Sequence, residues 1–485
     1  MAEHVTTLKD GSIGLIGAVV QSGADIAPAV SVVTSGVFIV SLAGLASPLS
    51  MLFGTIIALA LAKVIADFAK KIRTSGAFYT FMTRAFGPKT GFVIGMLLFL
   101  AYVLLLLFQM SFFGQFLNGI LSVHVPWEVY AAALIVMNTA LTASGIAPSL
   151  RVGLIGLVFE SIVFLALAIL IIVHGGAHGN TVAVFNPSDA PSASGMMLGI
   201  IFGIFVFVGF ESSTTLGEEM RNAHRNIPRA LFLTVGVIGV FVVVVIYAMI
   251  IGFGATTHGL SALQHDSTPF STLALRYGNP TLQVFINIAT VTSFLALNLI
   301  MVIASSRMVY AISRDGLIPS WLARVNKKQT PSLAAVTVGG VALAIVLITG
   351  ALYGALNVSN WYAFLSTLFF IAAYAVACVG IPVFYRRFYR DEFSVVGQVV
   401  IPLVALIGMG AVLYGNLHPF PSAPLSYFPF LTLGVIALLT IWAFFLQRAA
   451  PEKVADAGQI FDAPAGAVQD VPLDGPALLA RGETE

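Results

Sequence analysis

The chain has 485 residues, 58% of them hydrophobic and only 9% charged, with a formal net charge of +2. A soluble domain carries roughly a quarter charged residues, so this composition excludes an ordinary water-soluble globule and calls for a lipid solvent. The near-neutral balance excludes a nucleic-acid-binding surface, and the single cysteine, Cys378, excludes an internal disulfide framework and Cys-based metal or redox motifs.

The first residues, "MAEHVTTLKDG" (1–11), are polar and lack the positive region and small-residue cleavage site of a signal peptide. The first span is therefore expected to be retained. A membrane-crossing helix needs about 20 apolar residues. About twelve segments qualify, near 12–38, 45–68, 90–121, 127–144, 149–173, 194–220, 229–254, 279–313, 332–353, 358–384, 395–415 and 425–447. From 448 to 485 the composition changes to Ala, Pro, Gly and acids, and that tail is expected to be disordered.

Lys and Arg set the orientation. The connections after even-numbered spans carry Lys70, Lys71, Arg73, Arg84 and Lys89, then Arg221, Arg225 and Arg229, then Arg314, Arg324, Lys327 and Lys328, then Arg386, Arg387 and Arg390. Arg151 lies in the remaining short one, and the other connections hold Arg276 as their exception. Both termini are expected to be cytoplasmic, in a multi-pass protein of the cytoplasmic membrane.

Two spans are interrupted. The first contains "QSGADIAP" (21–28) and the sixth contains "GIFVFVGFESSTTLGEE" (203–219). Each holds a Gly-x-acid triplet with hydroxyls nearby: Gly23-Ala24-Asp25 beside Ser22, and Gly209-Phe210-Glu211 beside Ser212. Glycine and polar side chains let a helix unwind in lipid and have its freed backbone groups satisfied again. Interruptions at corresponding places in two halves point to a secondary transporter's binding site. Spans one and six then open two inverted repeats of five helices, 12–173 and 194–384, with 395–447 peripheral. Unwound amides suit a substrate carboxylate, and unwound carbonyls suit an ammonium or cation. Gly195, Gly199 and Gly203, spaced by four, read instead as a flat stripe for helix packing.

The connections between spans carry family-like motifs. "EEMRNAHRNIPRA" (218–230) resembles the Glu-Glu-x-x-Asn-Pro-x-Arg-x-Ile-Pro-x-Ala signature of the amino acid–polyamine–organocation (APC) transporters, with Ala223 where Pro is usual. "SRMVYAISRDGLIPSWLARVNKKQTP" (306–331) and "TSGAFYTFMTRAFGP" (74–88) resemble two further stretches of that family. The resemblance implies an all-α, LeuT-like fold with discontinuous helices 1 and 6, and secondary transport of amino acids or amines by alternating access. It also implies that Ser22 and Gly23 keep a backbone cradle, with Ala24 beside them and the Phe207–Ser212 backbone opposite. Gln21 and Asp25 depart from the family's Gly and aromatic. Phe205 falls where relatives place an aromatic over the substrate, and Ser305 and Ser306 match hydroxyls of a sodium site.

Glu160, in mid-span five, stands where the family can hold a Lys in place of sodium; it suits proton carriage, direct cation binding, or a neutral hydrogen bond to a neighbouring helix. Asp25 and Glu211 are expected near the amine end of a substrate, Glu211 with a structural or gating role as well. Glu218 and Glu219 are read as a local ion-pair network with Arg221 and Arg225, Arg307 as paired or snorkelling, Lys63 as an i, i+4 partner of Asp67, and Gln109 and Asn298 as interhelical glue.

The expected activity is proton-coupled uptake of an amino acid or small amine, with exchange or sodium symport as alternatives in the same fold. No enzyme motif, cofactor or metal site is expected beyond a coupling proton or sodium ion. A channel is disfavoured because the polar positions converge on two breaks rather than forming rings. The expected partners are a small substrate and the bilayer, with the oligomeric state open.

Overall fold

The computed structural model describes residues 8–121, 125–266, 268–418, 420–449 and 451. Most of both expected tails, 1–7 and the stretch beyond 451, lies outside the described residues. Within them every element is helical: α1 (Leu15–Ile26), α2 (Pro28–Ser31), α3 (Val37–Ala43), α4 (Ser47–Ala69), α5 (Phe78–Phe86), α6 (Pro88–Leu121), α7 (Trp127–Ala143), α8 (Ile146–Val173) and α9 (Ala193–Phe205). There follow α10 (Ala223–Phe253), α11 (Thr257–His265), α12 (Pro269–Tyr277), α13 (Pro280–Arg314), α14 (Ser332–Tyr353), α15 (Ala355–Phe388), α16 (Ile401–Leu417) and α17 (Phe428–Ala449). A π-helical stretch, Val32–Gly36, joins α2 to α3, and a 3₁₀ segment, Phe210–Glu219, follows α9.

Ten segments among the described residues are long and apolar enough to cross a bilayer, and Trp127–Ala143 is a shorter apolar helix. The first of the ten, Leu15–Ala69, is 55 residues long, more than twice the length of one crossing at about 20 residues. Its helix is broken at Gly44 (φ +58°), where the Ser47 hydroxyl donates to the Gly44 carbonyl at 2.5 Å, and Pro48 follows in the first turn of α4. The outward surface is apolar: Ile155, Leu438 and Phe445 are all exposed. Such a surface is a liability in water and suits acyl chains.

Local chemistry explains the boundaries. Thr256 and Asn279 accept amide hydrogen bonds at the starts of α11 and α13, and Ser192 does the same for α9, filling donors that a helix start leaves unpaired. The short α5, α11 and α12 lie in connections that the hydropathy pattern passes over, because they are too short to span.

α1 packs against α8, α10, α13 and the Phe210–Glu219 segment, while α6 packs along α15. The glycine stripe of α9 serves close packing as expected: Gly54 of α4 meets the Gly203 backbone so closely that a Cβ at Gly54 would lie 2.6 Å from it. α17 buries only Thr432, Leu439 and Ala443, so it lies at the periphery. The one strand-like pairing among the described residues joins Ile13, before α1, to Met220, after the 3₁₀ segment.

Candidate functional site

The first interruption falls later than the Gly-x-acid triplet suggests. α1 runs through Ser22, Gly23, Ala24 and Asp25 as regular helix and stops at Ile26; Ala27 takes a left-handed conformation (φ 50°, ψ 72°) and Pro28 starts the next piece. The cause is Pro28, which brings no N–H and disfavours helical geometry in the residue before it. The Ser22 and Gly23 amides therefore lie inside a helix, one turn before the break. The amides around the break are also engaged. Ala27 N–H donates to the Gly23 carbonyl (3.2 Å), Ala29 N–H to Glu160 Oε2 (3.1 Å), Val30 N–H to Ser293 Oγ (3.4 Å) and Ser31 N–H to the Ala27 carbonyl (2.8 Å).

The second interruption lies where α9 ends. Gly209 adopts φ +97°, and its Cα faces the Asp25 side chain: a Cβ there would sit 2.8 Å from Asp25 Cγ. The Gly209 N–H donates to the Tyr374 hydroxyl at 3.3 Å. Glu211, fully buried, accepts the Tyr102 hydroxyl at 2.6 Å on one oxygen and the Tyr374 hydroxyl on the other. Glu211 is thereby held between α6 and α15. Asp25 differs: it is 2% exposed, and neither carboxylate oxygen has a hydrogen-bond partner among the described residues. The Ser212 hydroxyl beside it points to the Gln21 carbonyl, 3.4 Å away. Buried polar groups are nearly always partnered, so this carboxylate stands out. The Ser22 hydroxyl and Gln21 side chain, on the same helix, are buried and unpartnered too.

A cavity of about 90 Å³ lies beside Asp25. Its wall is mostly apolar (Ile26, Val30, Leu105, Phe108, Phe205, Val206, Val208, Leu297, Ala363) with hydroxyls from Ser31, Thr34, Ser35 and Ser366. Phe205 is half-buried on this wall; Phe207 and Phe210 are fully buried behind it, Phe210 against the Tyr374 ring.

Glu160 projects from α8 to the start of α2, so a carboxylate and the Ser293 hydroxyl together satisfy the amides freed by the first break. Its second oxygen, Oε1, is buried without a partner among the described residues. Ser305 and Ser306 are not at this place: they lie about 18 Å further along α13 from Ser293, at about 1.5 Å per residue. Both hydroxyls donate to carbonyls of their own helix, Met301 and Ile303. No group of three or more His, Cys, Asp or Glu side chains is placed to hold a metal among the described residues.

Comparison with known families matches residues 17–461 to the amino acid permease model. The chain belongs to the amino acid permease family. It is 26% identical over 342 residues to a branched-chain amino acid permease of Bacillus subtilis (strain 168), covering 66% of this chain and 69% of that one. It is 24% identical over 306 residues to a low-affinity putrescine importer of Escherichia coli (strain K12), covering 62% and 66%. A methylthioribose transporter of Bacillus subtilis (strain 168) is 23% identical over 395 residues, covering 76% and 80%. The family and these relatives are permeases of the APC superfamily, not enzymes, and the chain is a multi-pass membrane protein that moves a small molecule.

The motifs that suggested this family are joined to one another by ion pairs and hydrogen bonds. Glu219 and Arg307 form a bidentate pair, Nε to Oε2 at 2.5 Å and Nη2 to Oε1 at 3.1 Å, with Arg307 nearly fully buried. Glu218 pairs with Arg314 at 2.7 Å and accepts the Ser75 amide at 3.0 Å. These partners correct the expected local network, since both acids reach α13 rather than Arg221 or Arg225. Arg221 instead donates to the Gly11 carbonyl at 2.5 Å. Lys63 does pair with Asp67, joined by Lys70 and by Gln398 from the stretch before α16. Asn298 accepts from Asn138 at 3.0 Å and so links α13 to α7, whereas Gln109 has no partner for either side-chain atom among the described residues. Sequence reasoning missed Tyr102, Tyr374 and Ser293. For Tyr102 and Tyr374 the available signal was a lone hydroxyl inside an apolar run; Ser293, beside Thr290 and Thr292, carried none of its own.

Proposed function

We propose that this permease is a proton-coupled uptake transporter for amino acids or small amines, working by alternating access in a LeuT-like fold. In this reading Leu15–Ala69 makes two crossings and Trp127–Ala143 one, for twelve in all. Residues 12–173 and 194–384 form inverted repeats, 395–447 add two peripheral crossings, and the termini are cytoplasmic. The distribution of Lys and Arg supports that orientation. The observation that carries the reading is Asp25, a buried carboxylate with no partner among the described residues, facing a small cavity between two interrupted helices. An ionised Asp costs about 2.5–3.5 kcal/mol at mid-membrane, and a cationic group of the substrate offsets that cost.

Substrate contact falls to Asp25 and Val208 in the cavity as it stands, and to Ser22 and the rest of the Phe207–Ser212 turn when it widens. Gly23 and Ala24 keep α1 slim, and Phe205 covers the cavity. Glu160 is the coupling group: it is buried, half-partnered, and bound to an amide of the moving break. In sealed proteoliposomes, an inward proton gradient should drive accumulation of substrate against its own gradient. Glu160→Gln should lose that pH-driven accumulation by at least tenfold while substrate still binds, because Glu160 does not line the cavity. Undiminished pH-driven uptake would remove Glu160 from coupling. Accumulation that follows a sodium gradient at constant pH would return the role to Ser305 and Ser306.

A further inference from the structure

We infer that the cavity at Asp25 selects a small monoamine: an alkylammonium with one apolar body, no carboxylate and no second charge. The inference rests on the transporter reading above and narrows its cargo.

Charge decides first. Among the described residues, Asp25 is the only ionisable side chain lining the cavity, and no Lys, Arg or His joins it. An amino acid brings a carboxylate that needs donors when buried. Free amides at the first break would supply them, yet Pro28 has none and those of Ala27, Ala29, Val30 and Ser31 are already bonded.

The hydroxyls decide next. Ser31 donates to the Ile26 carbonyl (2.6 Å), Thr34 to the Val30 carbonyl (2.7 Å) and Ser366 to the Ala101 carbonyl (3.0 Å). Three of the four lining hydroxyls have thus spent their proton, and they offer lone pairs to a ligand. An ammonium has three donors and no acceptor, so it complements Asp25 and these oxygens together. A carboxylate, which only accepts, would meet Asp25 and three hydroxyls whose protons are already committed, with Ser35 alone left to donate.

The far wall decides last. Leu105, Phe108, Phe205 and Leu297 are apolar, and among the described residues no second acid lines the cavity. Glu211 is no substitute, because two tyrosine hydroxyls already hold it. The second ammonium of a diamine would therefore be buried without a partner, which is costly. A volume of about 90 Å³ also keeps the body small.

The test uses the purified full-length protein and matched ligands: isoamylamine against leucine, phenethylamine against phenylalanine, and 1,4-diaminobutane. Binding is read as a ligand-dependent rise in Tm, and transport as competition for uptake of labelled amine in proteoliposomes. We expect a monoamine to bind at least tenfold tighter than its matched amino acid and than the diamine. Asp25→Asn should weaken the monoamine at least tenfold, and the wild-type ligand ranking tests the inference even if that variant folds poorly. If leucine, phenylalanine or the diamine binds as tightly as the monoamines, the inference is overturned while the transporter reading stands. If none of the ligands binds or is carried, both are overturned.

Discussion

Arg307→Ala is expected to destabilise the protein by about 3–5 kcal/mol, the range found when one member of a buried ion pair is removed. Arg307 and Glu219 are 1% and 0% exposed, joined by two hydrogen bonds, and Arg307 also reaches the Ile303 carbonyl at 3.3 Å. Truncation would leave the Glu219 carboxylate buried with no counter-charge. The double variant Arg307→Met with Glu219→Leu should recover most of the loss, because apolar replacement of a whole buried pair is often neutral. Thermal midpoints in detergent check both. A double variant as unstable as the single one would show that the charges themselves, not their mutual compensation, hold α13 to the 3₁₀ segment.

Gly209→Ala is expected to reduce substrate affinity at least tenfold, equivalent to about 1.4 kcal/mol. Two penalties act together. A left-handed backbone at a non-glycine residue costs on the order of 1–3 kcal/mol, and the new methyl group would press to 2.8 Å from the Asp25 carboxylate and displace it. Gly236→Ala, in α10, is the control: a Cβ there meets nothing within 4 Å, and Ala is the better helix former. The comparison is read as ligand-dependent Tm shift and uptake in the two variants. If Gly209→Ala matched the control, contact between the two interruptions would have no part in binding.

Much of this molecule was legible before its coordinates. Composition alone placed it in lipid, and Asp25, Glu160 and Glu211 stood out as costly charges in apolar runs. What escaped reading has a common physical cause: it depends on pairing across long stretches of chain. Glu211 is bonded by phenols 109 and 163 residues away, and Glu219 by an arginine 88 residues away. Nothing in the local pattern announces such partners. The first break is different: the Ala27-Pro28 dipeptide, inside the 21–28 interruption, carries a helix-stopping signal of its own.

That dipeptide makes span one two rods on a joint. The second rod is bonded to α8 and α13 through Glu160 and Ser293, and the first packs on α8, α10, α13 and the 3₁₀ segment, with Ile13 just before it paired to Met220. Asp25 stands on the first rod, while Ser31 and Thr34 stand on the second. A ligand that binds Asp25 and these hydroxyls at once bridges the joint and acts as a splint, so that cargo binding and the angle of span one become a single equilibrium.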